Sequence, residues 1–236
     1  MPLKYKILFR FFLEKVLLLI FDEKKLFKNK ILFASFLIEN NLDFNKAIGA
    51  FSNFCSLDPK IKIYPNSNSV RYLSGLLKNG TLLPNEASVV LTRTTHSIKD
   101  IYQMENPITM NQIRKLSSIE IDDKINYLET LRSYPKCNEA IEEKIVNADI
   151  IIYGSGTPYS SILPSLETKD ISRFINENNA PKVMIANLKK ETNNFVNVSD
   201  LVEDLFKHLS RSVTKKINKK DLLTHLIVND NVDDNF

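Results

Sequence analysis

The chain has 236 residues and a mass of 27.1 kDa, the size of one large domain or of one domain with appendages. Hydrophobic residues make up 43% and charged residues 25%, which excludes global disorder and predicts a hydrophobic core. The net charge of +4 is spread along the chain and forms no basic stripe, so we expect no nucleic-acid partner. Two cysteines cannot build a disulfide framework, which favours a reducing, cytoplasmic location. The cysteine, histidine and acidic residues do not show the spacing of zinc ligands, so the sequence predicts no metal site.

The N-terminal stretch 7–21 is apolar but carries charged residues. Arg10, Glu14 and Lys15 interrupt it, so its longest uncharged piece, 16–21, is much shorter than the roughly 20 residues of a spanning helix. No small-residue cleavage site of a signal peptide follows. The pattern therefore favours an amphipathic helix or a pair of strands over a membrane span.

Two helices are predicted next. Apolar residues at helical spacing predict a helix over 28–38, and Asp43 is a suitable N-cap for a second helix over 44–54.

Short β-rich segments follow these helices. The turn 78–80 predicts a hairpin, because Asn-Gly accepts the positive φ of a tight turn. The segment 94–115 has no clear period and is expected to be irregular. Strands are predicted at 61–64, 70–77, 88–92 and 118–121.

The second half alternates strands and helices. Continuous apolar runs at 148–153 and 182–186 are typical of parallel strands, the first of them central and buried on both faces. A last strand is expected at 223–228, and helices are expected at 138–147, 170–178 and 199–209. The pattern predicts an α/β fold, with a Rossmann-like, open, mostly parallel sheet, flanking helices and a β-hairpin excursion. We expect one domain over 1–236, because no repeat or low-complexity linker interrupts it.

The loop after 148–153 is the best candidate for a binding site. Ligands of such sheets bind at the carboxyl ends of the strands, and two of only five glycines, Gly154 and Gly156, lie there. Glycine lets the backbone approach an anion, and amides at a helix start carry partial positive charge. Hydroxyl groups that add donors belong to Ser155, Thr157, Ser160 and Ser161. A phosphate cradle is one interpretation, and a turn that needs small residues merely to turn is the other. The loop matches neither a Walker loop nor a full dinucleotide fingerprint.

Other polar residues give weaker signals. Asn187 follows the strand at 182–186, level with the glycine loop, where its amide can contact a sugar or base or simply make a turn. The histidines have no neighbouring nucleophile in a known arrangement and are interpreted as structural or solvated; they are His96, His208 and His225.

The segment 148–166, ADIIIYGSGTPYSSILPSL, resembles a motif of the 2-phospho-L-lactate transferase (CofD-like) family, which includes the bacterial gluconeogenesis factors. The motif reads A-D-hydrophobic-G-P-G-S/T-x-Y/H-T/S-S-hydrophobic-x-P, with Ser155 here at its proline. Further segments resemble family motifs in the same order: FKNKILFASFLIENNLDFNKAI with Asn29, KVMIANL with Asn187, and VSDLVEDLFKHL with Ser199 and Asp200. The resemblance covers about Asn29 to Asp230, and residues 1–28 match poorly.

The resemblance implies a nucleotide, nucleotide sugar or other phosphorylated small molecule as ligand. Residues implied to hold phosphate or the acceptor are Gly154, Ser155, Gly156, Thr157, Tyr159, Ser160 and Ser161, with Asn187 near sugar or base and Asn29, Ser199 and Asp200 as secondary positions. The family's N-terminal Gly-rich loop and acidic Asp-Asp-Gly-Gly-Ser loop are not found in this sequence, which therefore resembles a truncated or diverged member. None of the family's acidic metal ligands can be assigned to a residue of this chain, because the acidic loop is missing. The resemblance alone allows Mg²⁺ as a cofactor and a homodimer as the assembly.

The sequence leaves three functions open. The first is transfer of a phosphorus-containing group from a nucleoside diphosphate donor to a hydroxyl, which depends on positioning and charge neutralisation. The second is non-catalytic binding by a regulator of sugar or cell-envelope metabolism, similar to the gluconeogenesis factors. The third is a structural remnant whose sheet a partner chain completes. Without the nucleotide loop, we expect weak or absent transfer by this chain alone.

Overall fold

The computed structural model describes residues 25–92, 97–154, 156–186, 198–211, 213 and 217–228, with side chains described from Leu32 onward. The chain forms two compact units, Met1–Pro65 and Asn66–Phe236. None of the helices in the described part combines the length and the apolar character needed to cross a bilayer.

The N-terminal unit contains a pair of helices, α1 (Lys25–Glu39) and α2 (Phe44–Phe54). The Asp43 carboxylate accepts a hydrogen bond from the Lys46 amide at 3.1 Å and so caps α2, as predicted. The helices pack through five rings whose neighbouring centroids lie 5.5 to 6.5 Å apart; they belong to Phe33, Phe36, Phe44, Phe51 and Phe54.

The strand predicted at 61–64 is wrong. This segment is irregular, and the side chains of Ile61 and Ile63 are each 54% exposed. The alternation of apolar residues is present, but no described strand pairs with it, and a lone strand leaves its backbone groups unpaired.

The C-terminal unit begins with an antiparallel sheet of β1 (Tyr72–Leu77), β2 (Leu82–Leu83) and β3 (Ile98–Met104), in the order β2-β1-β3. Gly80 has φ of +82° in the turn between β1 and β2, so the predicted hairpin is confirmed. Strand β3 lies in the segment predicted to be irregular, and that prediction is wrong.

Three helices surround this sheet: α3 (Glu86–Leu91), α4 (Met110–Ser117) and α5 (Ile121–Leu131). The strand predicted at 88–92 is wrong, because the Asn85 side chain accepts from the Ser88 amide at 2.9 Å and starts α3. A reciprocal capping box between Thr109 and Gln112 starts α4. The strand predicted at 118–121 is also wrong, since this short segment connects α4 to α5.

A parallel sheet forms the rest of the unit, with β4 (Ile151–Tyr153), β5 (Lys182–Ile185) and β6 (His225–Ile227) in the order β4-β5-β6. The short α6 (Glu142–Val146) precedes β4. A π-helix (Pro158–Ile162), α7 (Leu163–Leu166) and α8 (Ile171–Glu177) connect β4 to β5, and α9 (Val198–Arg211) and α10 (Lys219–Leu222) lie between β5 and β6. The predicted α/β fold with a parallel sheet and flanking helices is confirmed.

The two faces of the parallel sheet differ in burial. Tyr153 and Met184 point into the main core and are 5% and 2% exposed. The other face, here called the open face, consists of Ile152, Val183, Ile185, His225 and Ile227. Ile152 and Ile227 are each 53% exposed, and β4 is an edge strand of the described sheet, so the prediction of a central strand buried on both faces is wrong. An apolar run predicts a strand but does not identify what covers it.

Candidate functional site

The glycine loop lies where the sequence predicts it. Gly154 directly follows the carboxyl end of β4, and the π-helix begins at Pro158. This places the loop at the edge of a parallel sheet where ligands of α/β proteins bind. The strand-to-helix turn is therefore present, and its binding role stays a prediction.

The backbone conformation of this loop does not require glycine at position 154 or 156. Among the described glycines, only Gly80 has a positive φ. Among the described residues, and apart from the neighbours of Gly154 in the chain, no atom lies within 4 Å of where a Cβ on Gly154 would stand, and a Cβ on Gly156 would lie 3.5 Å from the Ile162 side chain. No described side chain therefore covers Gly154, which leaves its backbone accessible to a ligand.

The π-helix shapes the second half of the loop. The amides of Ser161 and Ile162 both donate to the Thr157 carbonyl, at 3.0 and 3.4 Å. These two amides are engaged within the protein, so a phosphate would rely on the hydroxyl groups and on amides nearer the helix start. Ser160 is half-buried and Ser161 is exposed, which leaves their side chains beside the loop. Short π-helical turns of this kind are frequent at functional sites.

Tyr159 anchors the π-helix to α9. Its side chain is 4% exposed, and its hydroxyl group donates to Asp204 Oδ2 at 2.7 Å. Burial, together with the negative charges of Asp204 and Asp200, raises the pKa of Tyr159 well above its usual range. Tyr159 is therefore a neutral donor committed to Asp204, and in this structure it positions the loop rather than facing a ligand.

The remaining predicted residues are placed differently. Ser199 is exposed and Asp200 is half-buried in the first turn of α9, and the negative charge of Asp200 contributes to the raised pKa of Tyr159. Ser155 and Asn187 lie outside the described residues. Asn29 lies in α1 of the N-terminal unit, and its side chain is outside the described part.

A buried group of charged residues was not foreseen from the sequence. We call it the charge cluster, and its members are Asp100, Arg132, Glu167, His208 and Arg211. Glu167 is 0% exposed, and its Oε1 lies 3.0 Å from Arg132 Nη1, 2.8 Å from Arg211 Nη1 and 2.8 Å from His208 Nδ1. The cluster joins β3, the end of α5, the end of α7 and α9.

The cluster keeps both carboxylates ionised. Burial opposes ionisation of Asp100, but hydrogen bonds and the charge of Arg211 outweigh it and hold the Asp100 pKa well below its usual range. For Glu167, burial is likewise outweighed by His208 and the two arginines, and its pKa is lowered. Glu167 and His208 are fully buried, and the interpretation of His208 as structural agrees with its position.

The described residues do not fit a magnesium site. No group of three or more His, Cys, Asp or Glu side chains in this part of the chain is arranged to hold a metal ion. Magnesium prefers several oxygen ligands in near-octahedral geometry. The magnesium that the resemblance implied therefore finds no ligand set here, and we derive no metal-dependent step.

Comparison with solved structures gives the fold. Protein BH3568 from Bacillus halodurans matches with a TM-score of 0.62 and 21% identity, over 88% of this chain and 54% of that chain. A second crystal structure of BH3568, described as a member of the UPF0052 family, matches with a TM-score of 0.62 over 87% of this chain and 55% of that one. The chain thus spans about half the length of these structural relatives.

Comparison with curated proteins and families gives the relationship. A gluconeogenesis factor from Listeria monocytogenes is 40% identical over 60 residues, which are 25% of this chain and 17% of the relative. A gluconeogenesis factor from Listeria innocua is 38% identical over a stretch of the same length. The family model described as 2-phospho-L-lactate transferase CofD matches residues 8–235, so this chain belongs to the CofD family.

Proposed function

We propose that this CofD-family chain binds a phosphorylated small molecule, such as a nucleotide or nucleotide sugar, at the turn between β4 and the π-helix. One observation carries the proposal: Gly154 is exposed at the carboxyl end of a parallel strand, and within the described part of the chain no atom other than those of its chain neighbours lies within 4 Å of where its side chain would stand. The hydroxyl groups of Ser160 and Ser161 follow in the adjoining π-helix. An anion entering this space would meet a bare backbone and neutral donors.

The donors would be uncharged, because the segment 154–161 contains no lysine or arginine. Each such hydrogen bond contributes about 0.5–1.5 kcal/mol, and more where the ligand oxygen is charged. This chemistry suits reversible binding. We favour non-catalytic binding, as in a regulator of sugar or cell-envelope metabolism, over transfer of a phosphorus-containing group, because transfer depends on charge neutralisation and the segment 154–161 carries no cationic side chain.

Calorimetric titration with UDP-sugars, GDP and sugar phosphates tests the proposal. Gly154→Val places a side chain where the ligand would approach, and its Cβ meets no described atom within 4 Å, so we expect it to abolish binding while the far-UV circular dichroism stays unchanged. Ser161→Ala should weaken binding about two- to tenfold, the loss of one ordinary hydrogen bond. Ser117→Ala, at an exposed serine of α4, is the matched control and should bind normally. Equal binding by all variants would remove the loop from the site.

The open face favours a second candidate, in which the chain is a structural component whose sheet another polypeptide covers. Its support is the 53% exposure of both Ile152 and Ile227, since parallel sheets are normally covered on both faces. This candidate predicts a poorly stable isolated chain that binds none of the ligands above. A monomer that unfolds cooperatively within the common range of about 45–65 °C would argue against it.

A further inference from the structure

A cavity of about 1,200 Å³ lies along α9 and α10, and the proposed function does not use it. Part of its lining is apolar and continuous with the main core. Leu222 is 3% exposed, and Phe206 and Ile217 pack against the same core cluster. The apolar wall is therefore held in place by the fold. Its volume is sufficient for an organic molecule of moderate size.

Lysines from both helices add positive charge to this apolar wall. The Lys219 ammonium lies 5.1 Å from the centroid of the Phe206 ring, at the wall of the cavity. Lys220 follows it in the lining, and the ion pairs of the described residues include neither lysine. Lys207, which also lines the cavity, is different, since its ammonium lies 3.0 Å from Asp100 of the charge cluster. Lys219 and Lys220 are thus the cations free to meet a ligand.

The lining also contains two carboxylates, Glu203 and Asp204, both on α9. Asp204 accepts a hydrogen bond from the Tyr159 hydroxyl group at 2.7 Å. The ion pairs of the described residues join neither carboxylate to Lys219 or Lys220, which belong to α10. The cavity therefore joins an apolar wall to two lysines of α10, and a ligand with an apolar body and an anionic head would contact both.

We propose that this cavity binds an organic anion with an apolar body and one phosphate, sulfonate or carboxylate head. The apolar body would lie against Phe206, Ile217 and Leu222, and the head would pair with Lys219 and Lys220. The lining of this cavity includes no residue of the segment 154–161, so different variants test the two proposals.

Fluorescence titration with 1-anilinonaphthalene-8-sulfonate tests the proposal, because the probe has this division of charge. Its uncharged analogue, N-phenyl-1-naphthylamine, supplies the ring system without the head. The double variant Lys219→Ala/Lys220→Ala should weaken binding of the sulfonate about tenfold, equivalent to about 1.4 kcal/mol. It should change binding of the neutral analogue less than about twofold, because only the apolar wall acts on that probe.

Two control variants locate the probe. Lys78→Ala/Lys169→Ala removes two exposed lysines of the same unit and should leave the titration unchanged. Ile152→Thr alters the open face, the other exposed apolar surface, and should also leave it unchanged. Binding that survives the Lys219/Lys220 change, falls equally with the control lysines, or is lost with Ile152→Thr would overturn the proposal. Absence of wild-type binding would do the same.

A displacement experiment identifies the body of the ligand. Decyl phosphate and adenosine monophosphate share a phosphate head but differ in what it is attached to. Because Ile217 and Leu222 make much of the wall aliphatic, we expect decyl phosphate to displace the sulfonate probe and the nucleotide not to do so. Displacement by the nucleotide in place of decyl phosphate, or by neither compound, would refute the proposal.

Discussion

Replacing Arg211 by methionine gives a direct test of the charge cluster. Arg211 is the cation shared by both buried carboxylates: its Nη1 lies 2.8 Å from Glu167 Oε1 and 2.9 Å from Asp100 Oδ1, and its Nη2 makes a further bond to Asp100. Methionine keeps a similar length without the charge. After the change, Glu167 keeps Arg132 and His208, and Asp100 keeps Lys207.

We expect Arg211→Met to lower the free energy of unfolding by about 3 kcal/mol, the low end of the roughly 3–5 kcal/mol for breaking a buried pair. The low end applies because each carboxylate keeps another cation. For a unit of this size, about 1 kcal/mol corresponds to about 2–4 °C, so the melting temperature should fall by about 6–12 °C.

Urea titration followed by far-UV circular dichroism measures this loss, with Arg173→Met as the matched control. Arg173 also faces three acidic groups, Asp170, Glu177 and Glu142, but its side chain is 45% exposed. Exposed pairs contribute about 0–1 kcal/mol, so the control should lose little stability. If Arg211→Met loses no more than Arg173→Met, the charge cluster does not stabilise the fold as argued.

The pH dependence separates lost charge from lost packing. The pKa values of Asp100 and Glu167 are lowered in the folded protein. Their stability contribution is therefore full above the unfolded-state values, about 3.9 and 4.3, and is lost as pH falls through the lower folded-state values. Without Arg211 the two pKa values rise, so the difference between wild type and variant should be largest near neutrality and narrow below about pH 4. A difference constant from pH 7 to pH 3 would attribute the loss to packing alone.

Three smaller predictions test other parts of the chain. Gly49→Ala, in the interior of α2 where a Cβ would meet none of the described neighbouring side chains within 4 Å, should stabilise the protein by about 0.5–1 kcal/mol in thermal unfolding. Gly80→Ala should destabilise it by about 1–2 kcal/mol in the same assay, because φ of +82° strains any residue with a Cβ, and an unchanged melting temperature would contradict this. Burial, together with Asp170 and Glu142, raises the pKa of Cys137 to about 11, so iodoacetamide at pH 8 should modify the exposed Cys55 first, as peptide mass spectrometry would show.

Local signals in the sequence predict local structure well. The cap at Asp43 and the Asn-Gly turn before β2 each depend on residues within four positions, and both are present. The error at 88–92 has a local cause as well: Val89 and Val90 favour a strand, but the Asn85 cap starts a helix, and only Val89 of that helix is buried.

Long-range features could not be predicted in this way. Strand β3 is buried at six of its seven positions, including the polar Asp100 and Gln103, so the alternation expected of a half-exposed strand is absent. Arg211 contacts Asp100, 111 positions earlier, and no spacing rule relates such residues. Lys207, His208 and Arg211 lie close together on one helix, and this is the one local pattern among the residues of the cluster. Basic residues near a helix end are also usual on a solvated surface, so the pattern does not predict burial.

The π-helix at Pro158–Ile162 also determines the direction in which the side chains of α7 point, because α7 continues directly from it. A π-turn holds about one residue more than an α-turn, and in an α-helix each residue advances by about 100°. Deleting one residue from 158–162 would therefore restore an α-helical path and rotate Leu163 and Leu166, both buried in the core, by about 100°. The hydroxyl-bearing turn and the packing of α7 are thus linked by a single inserted position, so the loop cannot lose a residue without turning a buried face outward.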